Sequence, residues 1–329
     1  MILVTGAAGH IGNVLVRELL NDRKKVRALI LPGEDISALN GLDVEFVEGN
    51  VLDPISLDKA MQGIDIVFHL AGVISILPGQ YDLMHRVNVE GTKNVLNAAK
   101  KAHIKRLVYT SSIHALSRDW KGKIDEHVPF DVINAVGDYD RTKAEASLVV
   151  LEAVKNGLDA VIVCPTGVIG PHDYRNSEMG NLLRSWLRKK PHLLIEGAYD
   201  FVDVRDVARG HILACERGRT GEVYILSGWQ IKIFQLKQMV QDKIGRHSLT
   251  IKIPIWLAKF GSLFTPLYYR LSKKPPKFTE YSIETVQSNS NISNKKAKKE
   301  LGYSPRKLIL TIADTVRWWL VKEGKNHIN

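Results

Sequence analysis

Met1-Ile2-Leu3-Val4-Thr5-Gly6-Ala7-Ala8-Gly9-His10-Ile11-Gly12 is an apolar run, a glycine-spaced turn and the first residues of a helical pattern, in that order. Four apolar residues without polar alternation mark a parallel strand buried on both faces. Val14, Leu15, Leu19 and Leu20 follow with the spacing of one helix face. Gly6 permits the tight turn, Gly9 lets backbone approach a pyrophosphate, and Gly12 lets the helix sit close on the strand. The first N–H groups of that helix have no intrahelical partner, and the positive end of its dipole suits phosphate. Thr5, Gly6, Gly9, His10, Ile11 and Gly12 are therefore candidate dinucleotide contacts.

Working outward, apolar strands alternate with helical stretches through about the first half of the 329 residues. That pattern predicts an α/β fold with a doubly wound parallel Rossmann sheet. A hydrophobic content of 45% is ample for a core. Cys164 lies in an apolar strand and Cys215 in an amphipathic helix, so both read as buried thiols of a reduced cytoplasm, not a disulfide framework. With a strand starting at residue 1, no secretory leader is expected, and no apolar run reaches membrane-span length. No metal site is expected, and the expected location is cytoplasmic.

Tyr139-Asp140-Arg141-Thr142-Lys143 carries the chemistry. Four positions apart on a helix, the phenol and the ammonium share a face. A cation beside a phenol favours phenolate and lowers its pKa from about 10. Ser112, at the end of Tyr109-Thr110-Ser111-Ser112, can hold a carbonyl oxygen while Tyr139 gives or takes a proton. Strand alternation points Ser111 and Ser112 to opposite sides. This is equipment for hydride exchange between a nicotinamide and an alcohol or ketone.

With these motifs in series, the chain resembles the extended short-chain dehydrogenase/reductase family, the superfamily of NAD-dependent epimerases and dehydratases, over nearly its whole length. The Thr-Gly-x-x-Gly-x-x-Gly spacing is the family's form. Gly49-Asn50-Val51-Leu52-Asp53 is similar to the adenine-side turn, with Asn50 where Asp is usual, and His69-Leu70-Ala71-Gly72 to the pyrophosphate edge. Pro165-Thr166-Gly167-Val168-Ile169-Gly170-Pro171 resembles the loop whose backbone meets the nicotinamide amide. The resemblance implies cofactor contacts at Asn50, Val51, Leu70, Ala71, Gly72, Pro165 and Val168. It also implies catalytic roles for Ser112, Tyr139 and Lys143, with Lys143 on the nicotinamide ribose and Asn88 supporting it through a water. Related dinucleotide sensors lack the catalytic tyrosine; retention of all three groups argues for an enzyme.

The second strand, Val26-Arg27-Ala28-Leu29-Ile30-Leu31, ends in aliphatics where the family carries an acid for a ribose hydroxyl or an arginine for a 2′-phosphate. With no acid at Ile30 or Leu31 to repel phosphate, the expectation tilts from NAD to NADP. Glu34 and Asp35 are alternatives for a ribose, Arg27 and Lys24 for a phosphate. Nucleotide-sugar members place an arginine before the Asp-Phe of the returning strand, where it clamps a diphosphate. Tyr199 stands there in this chain, before Asp200-Phe201. The resemblance is therefore strongest to dihydroflavonol reductase-like enzymes, with an apolar carbonyl compound as small-molecule substrate. A sugar epimerase or dehydratase is the alternative if Arg184 or Arg188 replaces the clamp. His114 either borders the substrate or is a solvated loop histidine.

The net charge of +11 comes with no aromatic interleaving or reading motif, so it implies a solvated basic face and no nucleic-acid partner. The clusters are Arg184-Arg188-Lys189-Lys190, Lys273-Lys274-Lys277 and Lys295-Lys296-Lys298-Lys299. Residues 253–269 read as a core-facing helix interrupted by Pro266, with contact to a bilayer surface as the alternative and no stable insertion. Residues 1–165 and 201–228 are expected in the dinucleotide domain, 166–200 and 229–329 in a smaller, interleaved substrate lobe. A homodimer is compatible with this organisation.

Overall fold

The structure, a computed structural model, describes residues 1–75, 79–262 and 279–324. Strand β1 (Ile2–Thr5) is buried at every position, as its unbroken apolar run requires. Gly6, at φ 69°, turns the chain into α1 (His10–Asn21), whose Val14, Leu15, Val16 and Leu19 are buried. The chain then alternates through β2 (Val26–Ile30), β3 (Glu45–Glu48), α2 (Pro54–Ala60) and β4 (Ile66–His69). Next come α3 (Tyr81–His85), a π-helical turn at Arg86–Glu90, α4 (Gly91–Lys101), β5 (Arg106–Thr110), α5 (Asp138–Lys155) and β6 (Ala160–Pro165).

Past β6 the chain leaves the nucleotide layer. It builds β7 (Gly167–Ile169), α6 (Glu178–Trp186), β8 (His192–Ile195) and β9 (Ala198–Asp203). Helix α7 (Val204–Arg217) then packs along α1, and β10 (Val223–Leu226) adds an edge to the first sheet. Phe201 to Asp203 complete β9 in the second sheet, so re-entry to the nucleotide layer falls at Val204. Seven parallel strands result, in the order β10-β6-β5-β4-β1-β2-β3. The order reverses beside β1, which opens a crevice at the carboxyl ends of β1 and β4, next to the glycine turn.

The smaller part of the fold holds β11 (Trp229–Lys232), antiparallel to β9, with β7 parallel on its other side. It also holds α8 (Ile233–Lys243), β12 (Thr250–Ile253) parallel to β8, and α9 (Ile255–Ser262). The helices Glu280–Gln287 and Leu308–Lys322 complete the described part. Its core is built on Trp186, Phe201, Leu236 and Ile312, all buried. Helix α9 departs from the core-facing expectation: Trp256 is 71% exposed and Phe260 59%, while Ala258 is buried, against Ile195 and Ile283. Positions from 263 to 269, including Pro266, and the Lys273, Lys274 and Lys277 cluster lie outside the described residues. Among the described residues no helix is long and apolar enough to cross a membrane. Cys164 is buried and Cys215 half-buried; both are free thiols.

A β-carbon on Gly12 would stand 2.1 Å from the main-chain oxygen of Gly6. Because backbone meets backbone there, no rotamer change relieves the clash. Gly12→Ala is expected to cost about 1–3 kcal/mol of stability, the usual scale of overpacking, and to weaken dinucleotide binding; chemical denaturation with and without cofactor measures both.

Candidate active site

The crevice beside β1 is floored by backbone. Gly9 caps α1 without a side-chain bond, and the first turn carries no acid, so the leading N–H groups remain available to an anion. A β-carbon at Gly6 would stand 2.7 Å from the nitrogen of Ala71, and one at Gly72 3.1 Å from Asn88 Oδ1. These two edges therefore approach as closely as glycine allows. Leu70 N donates to the Thr5 carbonyl at 3.2 Å, and Ala71 N to Thr5 Oγ1 at 3.1 Å. His10 turns its imidazole away from this floor and bonds the carbonyl of Pro171 at 3.0 Å. Burial holds its pKa below the ordinary value, so the neutral ring donates. Ile11 is partly buried against the core. A narrow backbone cradle at a helix N-terminus fits the pyrophosphate of a dinucleotide.

Thr5 also begins a chain of hydrogen bonds whose direction is fixed. Thr92 Oγ1 donates to the Asn88 carbonyl at 2.6 Å, so its contact with His69 Nε2 at 3.0 Å must be an acceptance. His69 then carries its proton on Nε2 and accepts at Nδ1 from Thr5 Oγ1, 2.7 Å away. Burial drives its pKa down to about 3, which keeps the ring neutral. Asn88 Nδ2 donates to Val73 O at 3.0 Å and to Thr142 Oγ1 at 3.1 Å, and its Oδ1 accepts from Val73 N at 2.7 Å. Thr142 Oγ1 donates to the Tyr139 carbonyl at 3.0 Å. Both amide protons of Asn88 are thus spent, and the residue braces the helix beside Lys143 through Thr142 with no direct bond to Lys143.

Ser112 ends the loop from β5 and accepts the His114 N–H at 3.2 Å. Its neighbour Ser111 points the other way and bonds Ser147 Oγ at 2.6 Å, behind α5. Tyr139 lies against Ser112, whose hydrogen bond favours the phenolate. Burial outweighs that bond and raises the phenol above its ordinary value. The expected lowering by Lys143 is therefore not what governs Tyr139. Lys143 is turned to the end of β5, donating to Tyr109 Oη at 3.1 Å and the Thr110 carbonyl at 2.5 Å. Burial pushes its pKa down to about 7. The helical spacing placed both groups on one side; the tight fit against β5 decided where the ammonium went.

At the far end of the crevice Leu31 is 46% exposed, and its N–H donates to Glu34 Oε2 at 2.8 Å. The turn after β2 thus folds a carboxylate back to the strand end. Arg175, from the loop after β7, bonds Glu34 Oε1 at 2.6 Å and the Asp35 carbonyl at 3.0 Å. Arg27 is committed at the opposite end of β2, to Glu45 and the carbonyls of Ala60 and Gln62. Lys24 precedes that same end. Neither can serve a group bound by Leu31. Asn50 Oδ1 accepts from Leu52 N at 2.9 Å, closing its own turn, and Val51 is buried under Gly91. Pro165 ends β6, and Val168 sits partly buried in β7.

On the substrate side, His114 is not a solvated loop residue. Its Nδ1 meets Arg118 at 2.7 Å and its Nε2 meets Tyr199 Oη at 2.6 Å. Arg118 pairs with Asp140 at 2.5 Å, and Asp140 accepts from Tyr281 Oη at 2.6 Å. Arg184 is engaged elsewhere, with Glu323 at 2.6 Å and over the ring of Trp319, and Arg188 is exposed. Arg118, Arg175 and Tyr281 give no signal in the sequence, because each acts on a partner at least 140 residues away or through a loop of irregular backbone.

A doubly wound sheet with a glycine turn at its switch point, and with Ser112, Tyr139 and Lys143 gathered at the end of β5, has the form of a nicotinamide-dependent oxidoreductase. The NAD dependent epimerase/dehydratase family model matches residues 2–227, and the chain belongs to that family. Its members are NAD(P)-dependent dehydrogenases and reductases, and this protein is an NAD(P)-dependent oxidoreductase of the extended short-chain type. It is 35% identical to the sterol demethylase protein B of Methylococcus capsulatus, over 96% of this chain and 97% of that one. It is 31% identical to a candidate dihydroflavonol 4-reductase of Synechocystis sp., over 96% and 93%. The crystal structure of gox2253 superposes with a TM-score of 0.85 at 31% identity, covering 99% of both chains.

Because the folded protein releases the Lys143 proton near pH 7 and the unfolded chain holds it to about 10.5, the unfolded state binds more protons between those values. Stability from this group therefore rises with pH across that window. Lys143→Met should flatten the rise, read as a smaller pH slope in urea denaturation from pH 7 to 10; an unchanged slope would mean the ammonium stays charged when buried.

Proposed function

We propose that the protein exchanges a hydride with a ketone or secondary alcohol carried on an apolar, alicyclic or aromatic frame. The observation that carries this reading is the Ser112–Tyr139 contact at the end of β5, with Lys143 buried one helical turn on. The nicotinamide, when bound, supplies or takes the hydride. Ser112 holds the substrate oxygen, and Tyr139 gives it a proton during reduction or removes one during oxidation. Lys143, near the middle of its titration at neutral pH, would take the nicotinamide ribose from its place at the end of β5. Asn88 keeps α5 in register through Thr142. Thr5, Gly6, Gly9, Ile11 and Gly12 hold the pyrophosphate, with Leu70, Ala71 and Gly72 along its edge. Asn50 and Val51 flank the adenine, and Pro165 and Val168 the nicotinamide amide.

Relatedness to a sterol demethylase component and to a candidate dihydroflavonol reductase supports a fused-ring substrate. A diphosphate-linked sugar fits less well, because Tyr199 stands in the clamp position and Arg184 is paired with Glu323. At the 2′ position, the aliphatic strand end tilted the sequence toward NADP. Glu34 now supplies the missing acid, so NAD is the better fit: a 2′-phosphate would meet a carboxylate and compete for Arg175.

Tyr139→Phe should leave dinucleotide binding intact and lower ketone reduction by at least about 10²-fold, the scale of a positioned proton donor. Stopped-flow oxidation of the reduced cofactor measures it, and near-normal turnover would remove Tyr139 from the mechanism. Consumption of the cofactor also separates this reaction from epimerisation, which regenerates it.

Glu34→Gln removes the acid and releases Arg175. The NADP-to-NAD affinity ratio should rise about tenfold or more, the scale of one charge-assisted hydrogen bond. Fluorescence titration of both cofactors decides it; a constant ratio would mean that the 2′ position is read by other groups.

A further inference from the structure

The group around His114 has a property that follows from proton counting alone. A guanidinium has donors and no acceptor. Arg118 therefore donates to His114 Nδ1, which must carry a lone pair. Burial, with the Arg118 charge beside it, keeps the imidazole well below its usual pKa, so the ring is neutral with its one proton on Nε2. That proton goes to the Tyr199 oxygen, 2.6 Å away. Tyr199 can only accept in this bond, and its own O–H is left to donate elsewhere. Among the described residues no acceptor for it is found, although the residue is 6% exposed. Buried hydroxyl donors are ordinarily satisfied.

The phenol is also held in place. Its ring lies nearly parallel to that of His114 and edge-on to Phe201. A β-carbon on Gly167 would come within 2.6 Å of it, so it fits against the strand that follows the Pro165 loop. Arg118 is fixed in turn by Asp140, the residue after Tyr139, which Tyr281 also bonds. His114 follows Ser112 by two residues and bonds it through its backbone. An unspent donor is thus anchored on one side by the Ser112 loop and on the other by the Tyr139 helix.

We propose that Tyr199, oriented by Arg118 and His114, is a specificity residue that donates a hydrogen bond to a second oxygen of the substrate, separate from the oxygen held by Ser112 and Tyr139. The substrate is then a hydroxyketone, diketone or diol, or another alicyclic compound with an uncharged acceptor close to its reacting carbon. An uncharged acceptor is favoured because Asp140 already neutralises Arg118. This inference rests on the carbonyl-reductase reading and narrows its substrate class. His114 and Arg118 are positioning residues, acting through the phenol.

The test compares 2-hydroxycyclohexanone with cyclohexanone as oxidants of the reduced cofactor. In the wild-type protein the hydroxyketone should have the higher kcat/KM. In Tyr199→Phe, which keeps the ring, the ratio of the two kcat/KM values should fall about tenfold, the worth of one buried hydrogen bond, with the change in KM. His114→Phe should lower the ratio similarly. His114→Gln, whose amide can accept from Arg118 and donate to Tyr199, should restore most of it. An unchanged ratio in Tyr199→Phe, or equal losses on both ketones, would overturn the role of Tyr199 and leave the reductase standing. A folded, dinucleotide-binding wild-type protein inert toward both ketones would overturn both readings together.

Discussion

The hydrogen-bond chain from Thr5 through His69, Thr92, Asn88 and Thr142 to the carbonyl of Tyr139 ties the glycine cradle to the catalytic helix. Each link has one permitted direction, because each hydroxyl has a single proton and the buried imidazole has one. A chain so constrained resists local change: reversing any bond leaves a buried polar atom unpaired, at a cost of roughly 1–3 kcal/mol. It joins β1, β4, the continuous helical run from Arg86 to Lys101, and α5, and it does so with no ionised group. The glycine turn and the backbone of α5 are thereby linked through neutral groups.

Against that neutral frame, the titrating groups sit in opposed environments. Burial disfavours the charged form of both Tyr139 and Lys143, raising one and lowering the other. The two values move apart, so the pair shares less charge than their spacing alone suggests. Ser112 supplies the one bond that favours phenolate. Ser112, Tyr139 and Lys143 are better described as a hydroxyl acting on a phenol, with a half-charged amine nearby, than as an ion pair in water.

How much of this was legible depended on range. The cradle could be read because its residues are contiguous and each glycine answers a local steric demand. Tyr139 and Lys143 could be read because helical geometry converts a spacing of four into a shared face. The direction of the Lys143 side chain could not, since it is set by Tyr109 and Thr110 on another strand. Glu34 was weighed for a ribose, yet its seat at Leu31 depends on Arg175, 141 residues away. His114 and Tyr199 are 85 residues apart, and no local pattern joins them. Helix α9 misled for a related reason: an apolar run says that a surface wants cover but not which neighbour provides it.

The order in which strands leave and rejoin the large sheet has a consequence for how such proteins diversify. The chain exits after β6, builds β7 to β9, and comes back with α7 and β10 before leaving again. His10 reaches across to Pro171, and Glu34 to Arg175. No single cut in the gene separates the seven-stranded sheet from the smaller sheets packed beside it. Recombination therefore cannot exchange the smaller unit as a cassette. On the proposed reading, new substrates would be acquired by replacing individual side chains such as Tyr199, within a lineage that keeps both units.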